Sequence, residues 1–246
     1  MRKTTYKPLG PQESFIVPLL AKEVESALAE ISLSLLRSSN CNNSKKLVLD
    51  CGCGNQPFKN DTIRHGFEYE SLDVSQNEGN SIDYLCALDA PLEIFSSIVA
   101  KTYSLVIATE VLEHISDWHS AFANIASCMK PGGYALLTAP FFYPLHEEPH
   151  DYWRPTAHQF ARASRNAGLE VHSIKKLGNA VDVIGTTLAA ATISYSHGSG
   201  ISAKIINRLL LRFQKAILDL MVRHRDRFGS SCETIYLSNA VVLRKV

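Results

Sequence analysis

Lys46-Leu47-Val48-Leu49-Asp50-Cys51-Gly52-Cys53-Gly54-Asn55-Gln56-Pro57 is the stretch on which the fold turns. Its first five residues form a short apolar run closed by an acid, the pattern of a strand buried on both faces of a parallel sheet. The run passes directly into glycines at alternate positions, where the missing Cβ lets the backbone bend sharply and lie against a ligand. Nineteen residues after Gly54 comes Asp73, at the end of a second strand candidate, Tyr69-Glu70-Ser71-Leu72-Asp73. An acid there is placed to accept hydrogen bonds from two ribose hydroxyls, which implies a nucleoside-containing ligand. A dinucleotide would ask for G-x-G-x-x-G with pyrophosphate on a helix N-terminus. Pro57 stands at the third glycine position, and Asp50, two residues before Gly52, suits a ligand without pyrophosphate.

Outward from this turn, strand and helix patterns alternate. Ser104 to Ala108 reads as a buried strand, Ser81 to Leu85 as a shorter one, and Tyr134 to Thr138 as a fifth. Residues 170–175 and 234–243 supply two late strands. Val111 to Met129 carries helical spacing through Ile115, Trp118, Phe122 and Ile125, and stops at Lys130-Pro131-Gly132-Gly133, which cannot continue a helix. Thr156 caps another helix that closes near Gly168. Before the turn, Leu20, Val24, Leu28, Ile31 and Leu35 form one helical stripe, followed by a polar loop over 38–44. The alternation predicts an α/β fold: a doubly wound, mostly parallel seven-stranded sheet with helices on both faces. Residues 1–45 read as an N-terminal helical extension and 46–177 as the cofactor-binding core; 178–230 form a helical insertion before a final strand over 231–246.

Composition narrows the function. The 246 residues carry 25 basic and 24 acidic side chains, which excludes the strongly basic nucleic-acid binders and the acidic disordered tails. A hydrophobic fraction of 46% supports a true core. Six cysteines without paired Cys-x-x-Cys knots read as small buried hydrophobes in a reducing compartment, hence a cytoplasmic protein. The opening Met1-Arg2-Lys3 leads to no apolar stretch before Gly10 and Pro11, so no signal peptide is expected.

Four segments in order resemble the class I S-adenosylmethionine-dependent methyltransferases, in their small-molecule branch. They are Val48 to Gly54, Leu72-Asp73-Val74, Glu110-Val111-Leu112-Glu113-His114, and Leu136 to Pro140 after the Lys-Pro-Gly-Gly turn. The resemblance implies S-adenosyl-L-methionine as cofactor. Gly52 and Gly54, with Cys53 between them, would pass under its methionine and ribose parts, and Asp50 would organise that loop. Asp73 would hold the ribose, Val74 would cover one face of the adenine, Leu88 would also contact the cofactor, and the backbone near Thr109 would lie beside the methionine amino group. In two places the chain departs from the family: Ala87 stands where an acid near the adenine is usual, with Asp89 two residues late, and Tyr103-Ser104 replaces Phe-Asp. Glu110, Glu113 and His114 invite catalytic roles because they follow a strand end; the favoured reading places Glu113 and His114 on the first turn of a helix, where an acid favours the dipole.

The chemically densest stretch, Pro140 to Thr156, follows the fifth strand and can overhang a methyl donor. It resembles loops of bacterial methyltransferases of glycan or secondary-metabolite pathways. Transfer to a hydroxyl requires a base, and His146, His150 and Asp151 are available. Asp151 and Arg154 also suit a simple ion pair that pins the loop. Metal ligation is a rival reading of the two histidines and three acids, disfavoured because the histidines lack helical spacing, so no metal is expected. The implied reaction is O-methylation of a small-molecule acceptor, with an N- or C-methyltransferase or a silent nucleoside-binding subunit as alternatives.

From 201 to 229 the chain has seven basic and two acidic residues. Lys204, Arg208, Arg212 and Lys215 share one side of a helix, away from Ile205, Leu209, Phe213, Ile217 and Leu220. Such a helix packs on the sheet with a solvated basic face, meets anionic lipid or a lipid-linked substrate over 201–227, or pairs in a homodimer.

Overall fold

The computed structural model describes residues 6–38, 46–191, 193–194, 201–229 and 232–246. Within them lie helix α1 (Val17–Ser38), strand β1 (Leu47–Cys51), α2 (Lys59–Arg64), β2 (Glu68–Asp73), β3 (Tyr84–Leu85), α3 (Leu92–Ile98) and β4 (Tyr103–Thr109). There follow α4 (Trp118–Cys128), β5 (Met129–Pro140), α5 (Ala157–Asn166), β6 (Leu169–Leu177), α6 (Ala180–Ala190), α7 (Ile201–Arg223) and β7 (Ser238–Lys245). The seven strands form one sheet in the order β3-β2-β1-β4-β5-β7-β6. β1 to β5 pair in parallel, and β7 runs antiparallel between β5 and β6. This is the expected doubly wound sheet.

Because side chains alternate along a strand, the central strands feed two cores. Val48, Leu105, Ile107 and Leu136 face α1, whose stripe Val24, Leu28 and Ile31 closes that side. Leu49, Val106, Ala108 and Leu137 face the other way, against Phe95 of α3, Trp118 and Phe122 of α4 and Phe160 of α5. A third cluster joins Phe15, Ile16 and Leu20 to Leu237 and to Met221 of α7. At Gly185 of α6 an added Cβ would meet the Phe15 ring at 2.4 Å, so the glycine lets that ring lie against the helix.

Several boundaries differ from the sequence reading. The helix expected from Val111 begins at Trp118, capped by the Asp117 carboxylate, which accepts from the His119 and Ser120 N–H groups at 2.9 and 3.3 Å. Leu112–His114 is a separate 3-10 turn. Thr156 caps α5 as expected, accepting from the Gln159 N–H at 3.3 Å. Lys130 to Gly133 bulges within β5: Tyr103 pairs with Met129 but Leu105 with Tyr134. The third strand keeps only Tyr84 and Leu85, and the last begins at Ser238. The loop read at 39–45, the basic start at 1–5 and the boundary at 230–231 lie outside the described residues. Among the described cysteines, Cys51, Cys53, Cys86 and Cys128 are free thiols and buried as expected, and Cys232 is exposed. No described helix is long and apolar enough to cross a membrane.

Candidate active site

The carboxyl ends of β1, β2, β4 and β5 converge on the glycine turn. Gly52 and Gly54 have φ of +65° and +49°, and the Gly52 N–H donates to the Leu72 carbonyl at 2.7 Å. A Cβ on Gly52 would lie 2.4 Å from a methyl of Val111. Conformation and close approach therefore both require glycine there. Asp73 accepts from the Gly54 N–H at 2.9 Å through one oxygen and from the Val74 N–H at 2.7 Å through the other. It fixes the loop as well as bordering the cavity beside it.

Two cavities meet over this turn, of about 550 and about 520 Å³, and Gly52, Gly54, Glu110, His114 and Glu147 line both. Their sizes suit a cofactor-sized molecule and an acceptor. The first is walled by Asp73, Val74 and Leu88; the second by Asp50, Cys53 and Thr109. All eight residues expected to bind the cofactor thus border one continuous space. The second cavity also holds His146, Tyr143 and Tyr6, and the first holds His150. Asp89, by contrast, turns to α4, accepting from the Ser116 hydroxyl at 3.1 Å.

The electrostatics of this space are unusual. Asp50 is buried, and its carboxylate accepts from the Tyr69 hydroxyl at 2.7 Å. Burial pushes its pKa up to about 7 against the opposing Tyr69 hydrogen bond. Glu110, at the end of β4 with φ of +52°, accepts from the Ser238 hydroxyl at 2.9 Å. Burial raises its carboxyl to about 7 as well, against hydrogen bonds from Thr138 and Ser238 and the pull of Arg154. Glu113 is fully buried with neither carboxyl oxygen hydrogen-bonded; burial, then the Glu110 charge, hold its pKa well above the ordinary range. Asp50 and Glu110 line the second cavity and Glu113 lies buried near Glu110; burial disfavours the charged form of all three, an environment that a cation would complete.

The loop after β5 is strapped across Glu113. The Tyr152 and Trp153 N–H groups donate to the Glu113 carbonyl at 2.8 and 3.3 Å, and the Trp153 indole to the Ile115 carbonyl at 2.8 Å. Arg154 clamps Asp151 through both oxygens at 2.6 and 2.7 Å and also donates to the Tyr143 and Pro144 carbonyls. Burial works to raise the Asp151 carboxyl, but Arg154 and the His146 N–H overcome it and hold the pKa down to about 2. The ion pair left open by the sequence is present. It serves to place His146.

His146 sits with its backbone N–H 2.9 Å from Asp151, and its ring Nδ1 is 3.3 Å from both the Pro144 carbonyl and the Asp151 carboxylate. Both neighbours are acceptors, so Nδ1 carries the proton and Nε2 presents a lone pair. His114 repeats the arrangement, its Nδ1 donating to the His150 carbonyl at 2.8 Å. The two Nε2 atoms converge on Glu113 Oε1, at 3.9 and 3.8 Å.

The three expected catalytic residues therefore separate. His146 faces the second cavity; Asp151 lines neither, its side chain 1% exposed behind His146. His150 is exposed, with Nδ1 3.0 Å from the Tyr152 hydroxyl. Glu113 and His114 were favoured on a helix's first turn; because α4 starts only at Trp118, His114 lines both cavities and Glu113 is buried behind it. Together with His146 they offer three ligand atoms within 4.8 Å of one another, a grouping of metal-ligand type that the loop spacing alone does not disclose.

Residues 20–174, more than half of the chain, match the profile of a family described as Methyltransferase domain. Over 112 residues the chain is 30% identical to the ubiquinone biosynthesis O-methyltransferase of Rickettsia prowazekii, covering 41% of this chain and 42% of that protein. It thus spans less than half the length of that curated relative. Among solved structures, it is similar to a SAM-dependent methyltransferase from Archaeoglobus fulgidus at 17% identity, with a TM-score of 0.53 and coverage of 91% and 94%. It is also similar to the O-methyltransferase of a trans-AT PKS multienzyme from Brevibacillus brevis bound to S-adenosyl-L-homocysteine, at 14% identity, TM-score 0.50 and coverage of 99% and 83%. These structures share the fold.

Proposed function

The chain belongs to the methyltransferase-domain family, and from that premise we infer that it transfers a methyl group from S-adenosyl-L-methionine to a hydroxyl of a small-molecule acceptor, a glycan or secondary-metabolite intermediate. The observation that carries the hydroxyl is the His146 imidazole, which lines the second cavity with Nδ1 held by acceptors, so that the lone pair is left on Nε2, 3.9 Å from Glu113. An amine can react through its own lone pair, whereas a hydroxyl gains nucleophilicity when a base takes its proton.

The residues fit the cofactor. The glycine turn leaves room beneath a ligand, Asp73 offers carboxylate oxygens at the ribose position, and Val74 and Leu88 provide apolar walls. Asp50 and Glu110 supply the negative charge that an ammonium and a sulfonium require. When bound, S-adenosyl-L-methionine supplies an activated methyl group, so the protein's task is placement and proton removal. Tyr6 and Tyr143 wall the acceptor side, and Arg154 keeps Asp151 charged beside His146. Nε2 takes the hydroxyl proton, and Asp151 stabilises the resulting imidazolium.

Calorimetry across pH tests the cofactor assignment. Asp50 and Glu110 hold protons below about 7, and a cation that favours the carboxylates must displace them. Affinity for S-adenosyl-L-methionine is expected to rise between pH 5 and 7, to level off above, and to be accompanied by proton release visible in buffers of different ionisation enthalpy. S-adenosylhomocysteine, lacking the sulfonium, should show a weaker dependence. Pocket affinity that ignores pH would overturn the assignment of these acids.

A second reading rests on the convergence of His114 and His146 on the unpartnered Glu113 carboxyl. Metal-binding histidines are held by their other ring nitrogen in this way. Here a divalent cation would replace His146 as the group that acidifies the acceptor. Dialysis against EDTA separates the two: turnover retained without metal supports the base, and turnover lost with EDTA and restored by a divalent ion supports the cation.

A further inference from the structure

Helix α7 meets the rest of the protein along one narrow edge. Ala203, Gln214 and Met221 are its buried residues, and the Gln214 amide donates to the Leu188 and Ala191 carbonyls. Most of its remaining circumference faces outward as two adjoining stripes. Ile205, Leu209, Phe213 and Leu220 are 55, 58, 67 and 52% exposed, recurring at spacings that keep them on one side. Lys204, Arg208, Arg212 and Lys215 run beside them, along an open groove of about 490 Å³. Asp219 is the single carboxylate in α7.

A helix packed only for stability turns its large apolar side chains inward. Here four of them point out, next to four cations. Self-pairing through the apolar stripe would gather like charges of both copies around the contact. An anionic lipid surface satisfies both stripes together: apolar side chains enter the boundary with the acyl chains while lysine and arginine meet phosphate headgroups. We propose that α7 docks the protein on an anionic bilayer, lying in the headgroup plane. The helix also packs against the segment that walls the acceptor cavity: Phe15 shares a hydrophobic cluster with its Leu218, and Tyr6, Leu9 and Glu13 line the cavity.

The test is co-sedimentation of the full chain with phosphatidylglycerol-containing vesicles and with pure phosphatidylcholine vesicles. Binding is expected to the first only and to weaken with salt as charge is screened. Replacing Lys204, Arg208, Arg212 and Lys215 with glutamine should reduce it about a hundredfold or more, the loss expected for four surface cations. Leu209→Ser with Phe213→Ser should also abolish binding, and because all six side chains are exposed both variants should keep the wild-type melting temperature. Phe213→Trp gives an independent readout, a blue shift of tryptophan emission on adding anionic vesicles. The proposal is overturned by wild-type protein that stays in the supernatant, by equal binding to phosphatidylcholine, by variants that bind unchanged, or by a dimer in light scattering that Phe213→Ser dissociates.

Discussion

Turnover of His146→Ala is expected to fall by a factor of about 10²–10⁴, the usual cost of losing a general base, while affinity for S-adenosyl-L-methionine barely changes. The split follows from position. His146 lines the cavity of Tyr6 and Tyr143 and is absent from the one walled by Asp73, Val74 and Leu88. Its tautomer is set from behind by Asp151 and the Pro144 carbonyl, so only Nε2 can accept a proton. His150→Ala is the comparison: it borders the first cavity and not the second, its ring pairs with Tyr152, and the bond to His114 comes from its backbone carbonyl. Near-normal turnover in both variants would mean that the loop only positions the acceptor, which favours an amine. Collapse of cofactor affinity together with turnover would place the loop on the donor side instead.

Asp151→Asn offers a finer reading of the same pair. The amide keeps one oxygen for the His146 backbone N–H but presents no charge to an imidazolium, so the rate should drop while acceptor KM moves little. Arg154 would lose its two-oxygen partner yet retain its bonds to the Tyr143 and Pro144 carbonyls, which hold the loop in place. The effect should stay below that of removing His146 itself.

The sheet was legible in the chain because its strands are short apolar runs whose period is enforced by burial on both faces. Val48 and Leu49, or Leu105 and Val106, must point to opposite cores whichever helices cover them. The glycine turn and Asp73 were legible for a similar reason, since local backbone geometry fixes what can stand there. Glu113 was not. It leads into the helical spacing of Ile115, Trp118, Phe122 and Ile125, and only a loop arriving about 40 residues later, bonded through Tyr152 and Trp153 to its carbonyl, covers it. Burial of that kind is a property of two distant segments together and leaves no periodic trace. The same holds for Tyr6 beside Tyr143, joined across the molecule by the packing of Phe15 and Ile16 on Leu237. The bulge at Lys130 to Gly133 misled in the opposite direction: Pro and Gly signal a break, and the sheet absorbs it through a register shift between Tyr103 and Leu105.

Asp73→Ala should weaken binding of S-adenosyl-L-methionine by about a hundredfold. Two charge-assisted hydrogen bonds to ribose hydroxyls at about 1.5 kcal/mol each, the low end of their range, already amount to that factor. A second loss adds to the first: without the carboxylate the Gly54 and Val74 N–H groups have no acceptor at 2.9 and 2.7 Å, and the turn that must lie flat beneath the ligand is released. Asp73→Asn separates these contributions, because one amide oxygen can still accept from the loop while the charge toward the ribose is gone. Its affinity should lie between wild type and the alanine variant. Both proteins should remain folded, since Asp73 ends its strand at the rim and the buried sheet contacts begin at Leu72. NAD should bind none of the three comparably, because Pro57 stands where a pyrophosphate-binding turn needs its third glycine. Unchanged calorimetric affinity in a folded Asp73→Ala protein would remove the ribose assignment, and with it the reason to orient the cofactor with its adenine against Val74 and Leu88.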